Sequence, residues 1–218
     1  MARVIAQNRN GKARMIIAVD GPAASGKGTI AKALAAHFAL PHLDTGLLYR
    51  AVGINTMRSG GNPSVEMDAM RACGFHQALL DDPMLRSEAA GRAASVVSVH
   101  PQVRAALLKR QQDFANQPGG AVLDGRDIGT VIAPQADAKL FVIASPEARA
   151  RRRLREDATS DYGAMLAEIQ SRDERDSSRS AAPMLQADDA DLLDTSDLTI
   201  DQAVQRAIAL VEARIGHR

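Results

Sequence analysis

The sequence predicts an α/β fold, a five-stranded parallel sheet with helices on both faces. Short apolar runs alternate with stretches of helical period from Met15 onward, and parallel strands need such crossovers between them. A glycine-rich G-x-x-x-x-G-K segment stands where the first run gives way to the first helical pattern, the junction at which α/β proteins bind phosphate. With 218 residues, 45% of them hydrophobic and 24% charged, composition is near the globular average. That is enough for one domain with an inserted lobe, and too apolar for disorder.

Residues 1–14 are basic and polar without period and are expected to form a flexible leader ahead of a single domain at 15–218. Five buried strands are read at 15–20 (MIIAVD), 41–44 (PHLD), 120–125 (GAVLDG), 139–145 (KLFVIAS) and 191–196 (DLLDTS). Helices are expected at 26–39, 46–58, 65–80, 85–99, 102–116, 146–156, 163–177 and 200–215. The last opens on a capping box, Thr199 with Gln202, and carries the stripe Ile200, Val204, Ile208, Val211, Ile215, which should pack on the sheet. Residues 59–99, helical without a strand, and 146–185, rich in arginine, interrupt the alternation and are candidate mobile lobes.

Several function classes are set aside by composition. One cysteine, Cys73, forms no internal disulfide, and five histidines never fall at metal-ligand spacing. A reducing cytosol is expected. The early apolar run at residues 15–19 is far shorter than a membrane helix, which needs roughly 20 apolar residues, and no signal-peptide core precedes it. A net charge of +1 and 3% aromatic residues argue against nucleic acid as a partner. The basic residues themselves are unusual, with 22 arginines to five lysines. A GC-rich genome produces that ratio, but arginine is also the fork that grips phosphate oxygens in pairs.

The segment Gly21-Pro22-Ala23-Ala24-Ser25-Gly26-Lys27-Gly28-Thr29 supplies a phosphate cradle. Its glycines let backbone N–H groups turn to one point, the helix start adds its positive end, and Lys27 brings a charge to the outer phosphates of a nucleoside triphosphate. In the standard loop a hydroxyl follows the lysine. Here Gly28 does, and Thr29 comes one place later, which weakens direct magnesium ligation by Thr29.

The G-x-x-x-x-G-K-G-T form resembles the loop of nucleoside monophosphate kinases. Leu43-Asp44-Thr45-Gly46-Leu47-Leu48-Tyr49-Arg50 and Leu123-Asp124-Gly125-Arg126-Asp127-Ile128-Gly129-Thr130 are similar to segments of bacterial cytidylate kinases. So are Ala94-Ser95 with Pro101-Gln102-Val103-Arg104, the arginine run after Ser145-Pro146-Glu147, and the run from Arg172 to Arg179. One stretch departs. Residues 64–92 are shorter than the family's usual insert and lack its small sheet.

The resemblance implies a P-loop kinase that moves the γ-phosphoryl of ATP onto CMP or dCMP with Mg2+, working as a cytoplasmic monomer. It implies a monophosphate-binding lobe at 59–99 and a lid at 146–185. Residues 21–29 and Arg153 would hold ATP, the lid drawing on some of Arg149, Arg151, Arg152, Arg153 and Arg155, a run that taken alone reads as a solvated basic face. Lys27, Arg126 and Arg172 would be catalytic. The acceptor phosphate would be clamped by Arg50 and Arg126, and Arg172 and Arg179 would contact the same nucleotide, with Asp176 accepting from a ribose hydroxyl. Thr45 and Asp127 would accept from the cytosine amine, while Ser95 and Arg104 donate to the ring. Mg2+ is expected near Thr29 and Asp124, mostly through water and phosphate. Taken alone, the positions 172, 176 and 179 share one helix face and read as a surface salt-bridge ladder, and Asp124-Gly125 as a simple turn. Two other readings remain at this point: a small kinase with another acceptor, and a nucleotide-gated module without turnover.

Overall fold

The structure, a computed structural model, describes residues 14–156 and 161–216. Five strands, β1 (Met15–Asp20), β2 (His42–Asp44), β3 (Gly120–Gly125), β4 (Ala138–Ile143) and β5 (Asp191–Asp194), form one parallel sheet in the order β2-β3-β1-β4-β5. The expected leader lies almost wholly outside the described residues.

Side-chain alternation along β1 builds two cores. Ile17 and Val19 face α1 (Lys27–Phe38) and α8 (Ile200–Gly216), whereas Ile16 and Ala18 face the other side with Ala121 and Leu123. There they meet Leu108, Phe114 and Ala115 of α5 (Pro101–Ala115) and a π-helical turn at Ile128–Ile132. Helices therefore cover both faces, as expected. A third core joins α2 (Thr45–Arg58), the short α3 (Glu66–Arg71), α4 (Glu88–Val97) and α5 into an all-helical body beside the sheet. The remaining helices, α6 (Pro146–Glu156) and α7 (Tyr162–Ser178), pack on each other through Ala150, Met165 and Ile169. Among the described residues no helix is long and apolar enough to cross a membrane.

The capping box forms as expected: the Gln202 amide donates to Thr199 Oγ1 at 3.2 Å and the Thr199 amide to Gln202 Oε1 at 3.0 Å. Three expectations fail. The helix expected at 65–80 ends at Arg71 and dissolves into 3-10 turns at Ala72–Gly74, Gln77–Asp81 and Pro83–Arg86. Gly74 interrupts it, and His76 and Asp82 cap the amides of Ala78 and Met84, a local alternative to helix bonds. Helix α4 starts later than residue 85 because Ser87 Oγ accepts from the Ala90 amide at 3.1 Å and caps it there. Ile200, 68% exposed, leaves the α8 stripe; as first residue of the helix it lines a cavity instead of the sheet.

Helices α2 and α4 touch backbone to backbone at Gly53, where a Cβ would stand 2.7 Å from that of Ala93 and 3.0 Å from the Ala93 carbonyl carbon. Gly53→Ala therefore sets overpacking, about 1–3 kcal/mol, against a helix-propensity gain of at most about 1 kcal/mol. Net destabilisation is expected, read as a lower urea midpoint at unchanged slope. An unchanged or raised midpoint would mean that the two helices part without cost.

Candidate active site

The chain leaves β1 at Asp20 and re-enters regular structure at Lys27. Gly21 backs onto β4, with φ +145° and a Cβ position only 2.0 Å from the Val142 carbonyl oxygen, so no side chain fits. Ala24 and Gly26 are both left-handed, at φ 59° and 89°, a change of hand that turns successive amides toward one concavity. Lys27 then stands at the positive end of α1. Burial lowers its pKa to about 8, helped by Arg126 and opposed by Asp124 and Asp44.

Two cavities meet at Lys27 and Gly28. The first opens at the carboxyl ends of β2 and β3, beside the point where the chain switches from one side of β1 to the other, the usual ligand position in open α/β sheets. Nine residues assigned to one nucleotide by sequence, Thr45, Arg50, Ser95, Arg104, Arg126, Asp127, Arg172, Asp176 and Arg179, all line it. Seven cations face four carboxylates there. Arg126 Nε donates to Asp176 Oδ2 at 2.8 Å, and Arg179 approaches Asp176 Oδ1 at 3.9 Å. Burial alone would raise the Asp176 pKa, but Arg126, Arg179 and Arg172 hold it below the usual carboxylate range. Asp176 relieves Arg172 only in part. Burial and Arg126 lower it to about 10, and its Nε, like Nε and Nη2 of Arg179, is buried without a hydrogen-bond partner among the described residues. Buried donors left unpaired are costly, so these point to an anionic ligand.

The remaining groups are held with defined hydrogen-bonding polarity. Arg50 Nη1 is fixed by the carbonyls of Leu85 at 2.7 Å and Ser87 at 3.3 Å. Arg104 pairs with Asp127 and lies 5.6 Å over the Tyr49 ring. Thr45 donates to the Asp124 carbonyl at 2.8 Å, which leaves its oxygen as an acceptor. Arg179 is not on the helix face foreseen for it: α7 stops before it, because the Asp176 carbonyl accepts from the Met184 amide at 2.8 Å. It converges on the cavity from the following loop.

The second cavity lies between the phosphate loop, α6 and the β5–α8 connection. Residues 24–29 and Arg153 line it, Ala23 lines only the first cavity, and Gly21 and Pro22 line neither. The five arginines of α6 separate sharply. Arg149 is a buried strut, bidentate to Asp173 at 2.9 and 2.5 Å and donating to the carbonyls of Ala144 and Ala23. Arg152 caps Thr195, whose hydroxyl supports the Ser25 carbonyl at 2.8 Å. Arg153 borders both cavities, Arg155 only the second, and Arg151 neither. Thr29 lines the second cavity and Asp124 the first, so the two residues expected near a metal do not share one cavity.

Sequence reasoning missed three groups. Asp20 accepts from the amides of Ile128 at 2.8 Å and Gly129 at 2.7 Å, His42 Nε2 meets Asp124 Oδ1 at 2.7 Å, and Arg175 reaches Ser95. Only Asp20 carried a signal, its place at the carboxyl end of a strand.

Residues 17–213 match the sequence model of a family described as cytidylate kinase. A cytidylate kinase of Xanthobacter autotrophicus is 59% identical over 204 residues, 92% of this chain and 98% of that relative. The chain belongs to the cytidylate kinase family. A second member, from Rhodopseudomonas palustris, is 56% identical over 91% of this chain and 97% of its own length. A solved structure of an uncharacterized protein from Eubacterium ventriosum superposes with a TM-score of 0.55 at 15% identity, over 92% of this chain and 99% of that one; this likeness concerns the fold.

Within this family member Asp20 secures the loop that carries Arg126 and Asp127. Burial pushes its carboxyl up to about 7, against the pull of its two amide partners. Such a group stabilises the fold fully below its unfolded pKa of 3.8, and that contribution is lost as pH rises to about 7. Urea unfolding from pH 4 to 8 should show this decline in the wild type and lack it in Asp20→Asn. Parallel pH profiles for the two proteins would contradict the assignment.

Proposed function

We propose that the chain transfers the γ-phosphoryl of ATP to CMP or dCMP, with ATP in the second cavity and the monophosphate in the first. The observation that carries this is the excess of cations in a cavity that joins the phosphate loop at Lys27, with buried Arg172 and Arg179 donors unpaired. An acceptor phosphate is already an oxyanion near pH 7, its second pKa being about 6, so no general base is needed. The barrier is repulsion between two anions, and positive groups from several sides lower it. Lys27 and Arg153, which border both cavities, would neutralise the group in transit, and Arg126 and Arg172 would hold the acceptor in line. Residues 59–99 would serve as the monophosphate lobe and 146–185 as the lid.

The base would be read by Thr45 as acceptor, with Asp127 accepting and Arg104 donating from their shared pair. Asp176 would accept from the ribose. Mg2+ fits the donor set. Gly28 leaves room, a Cβ there lying 3.7 Å from Asp124 Oδ2, and the Asp124 carboxylate is 3% exposed and held by His42. Asp124 would hold the ion through water, and the ion would neutralise charge on the phosphates. We place the enzyme in the cytosol as a monomer; the free thiol of Cys73 suits that compartment.

An ADP-release assay with CMP, dCMP, UMP, AMP and a set of metabolite alcohols tests the reading; turnover with an alcohol and not with CMP would end it. Lys27→Met should abolish turnover while CMP still binds, because the lysine acts on the outer phosphates in the chemical step. Near-normal kcat would remove the phosphate-loop assignment.

Asp176→Ala separates two roles of one carboxylate. Losing its pairing with Arg126 should impair CMP and dCMP alike. Losing a ribose 2′-OH bond, about 1.5–3 kcal/mol for a charged acceptor, should lower kcat/KM for CMP at least tenfold further. Equal losses for both substrates would leave only the arginine-holding role.

A further inference from the structure

Helix α7 directs Arg172 and Asp176 into the first cavity and Asp173 to Arg149, but Arg175 crosses to α4. Its Nη1 donates to Ser95 Oγ at 2.9 Å, while its Nε donates back to the Ser171 carbonyl at 3.3 Å and so anchors the guanidinium to its own helix. Ser95 is 4% exposed and lines the cavity.

A guanidinium has only donors, whereas a hydroxyl has one proton and two acceptor lone pairs. Once Arg175 occupies a lone pair, the Ser95 proton must find an acceptor elsewhere. Among the described residues the Ser95 hydroxyl donates to none, and the nearby Ser98 hydroxyl is turned to the Ser95 carbonyl, to which it donates at 3.1 Å. The open direction for the proton is the cavity.

We infer that Arg175 is a positioning residue for base selection, committing the Ser95 hydroxyl to donate into the cavity that α4 and α7 share. This rests on the reading that a pyrimidine monophosphate occupies that cavity. Cytosine offers an unprotonated ring nitrogen at N3, where uracil carries N3–H. A hydroxyl whose proton faces the cavity satisfies cytosine and sets two donors against each other with uracil, and turning its remaining lone pair to uracil would leave its own buried proton without an acceptor. Freed from Arg175, the same hydroxyl rotates and accepts from uracil N3–H, so discrimination weakens although Ser95 is still there.

The test measures kcat/KM for CMP and for UMP side by side in the full-length enzyme. Arg175→Met should reduce the CMP-to-UMP ratio about five- to tenfold, as expected for one net hydrogen bond, and Arg175→Lys, still a donor, should restore part of it. In a Ser95→Ala background Arg175→Met should change the ratio less than about twofold, since the two residues act through one hydroxyl. Equal losses for CMP and UMP in Arg175→Met, or the same ratio change with and without Ser95, would overturn the inference. If Arg175→Met fails to fold by circular dichroism, Arg175→Gln and Arg175→Lys carry the same comparison. A wild-type enzyme that ignores CMP would instead defeat the functional reading.

Discussion

Repulsion among buried cations is the constraint to which the rest of this architecture answers. Two like charges about 4 Å apart at an effective dielectric of 20 repel by roughly 4 kcal/mol, and the first cavity gathers seven cations against four carboxylates. The carboxylates are placed where they restrain most. Asp176 holds Arg126, Asp127 holds Arg104, and Asp173, outside the cavity, holds Arg149. What remains uncompensated shows in the groups themselves, in the pKa values of Lys27 and Arg172, lowered first by burial and then by Arg126, and in the unpaired donors of Arg172 and Arg179. A polyanion relieves all of these at once, so an ordered site is compatible with an unfavourable empty state.

Holding that arrangement requires rigid supports, and the sheet supplies them. The register of β1 on β3 sets Val19 beside Asp124 and Asp20 beside Gly125, so the phosphate loop and the loop bearing Arg126 leave the sheet side by side. Asp20 then ties the two together through the amides of Ile128 and Gly129. On the other flank Thr195, at the end of β5, supports the phosphate loop at Ser25, and Arg149 supports it at Ala23. The loop is thus braced from β3, β5 and α6.

Helices α6 and α7 illustrate how one residue type serves unlike ends. On α6, Arg149 is a strut, Arg152 a brace for Thr195 and Arg153 a lining residue of both cavities. On α7, Arg172 faces the cavity while Arg175 docks on α4. The consecutive helices α6 and α7 and the distant α4 are joined by arginines whose forks satisfy two or more partners each.

Much of this was legible in the sequence, since it depends on local chemistry. Five apolar runs separated by helical periods give a parallel sheet with covered faces, and the glycines before Lys27 give a phosphate loop, because backbone freedom and side-chain period act over a few residues. The capping box of α8 is of the same kind. The resemblance to cytidylate kinases also led to nine residues that line one cavity, though only the fold decided that Arg179 arrives from a loop. Beyond that range the sequence is silent. Nothing local distinguishes Arg149, bidentate to Asp173, from Arg153, which stands 3.8 Å from Glu168 at the edge of both cavities, nor does it mark Asp20, His42 and Arg175, whose partners stand 108, 82 and 80 residues away. Helix period over 65–80 was overridden by caps and by Gly74. The sequence by itself determined which elements form and what chemistry they carry; the tertiary structure alone decided which charges are paired and which are left facing the cavity, because pairing depends on distances set by packing.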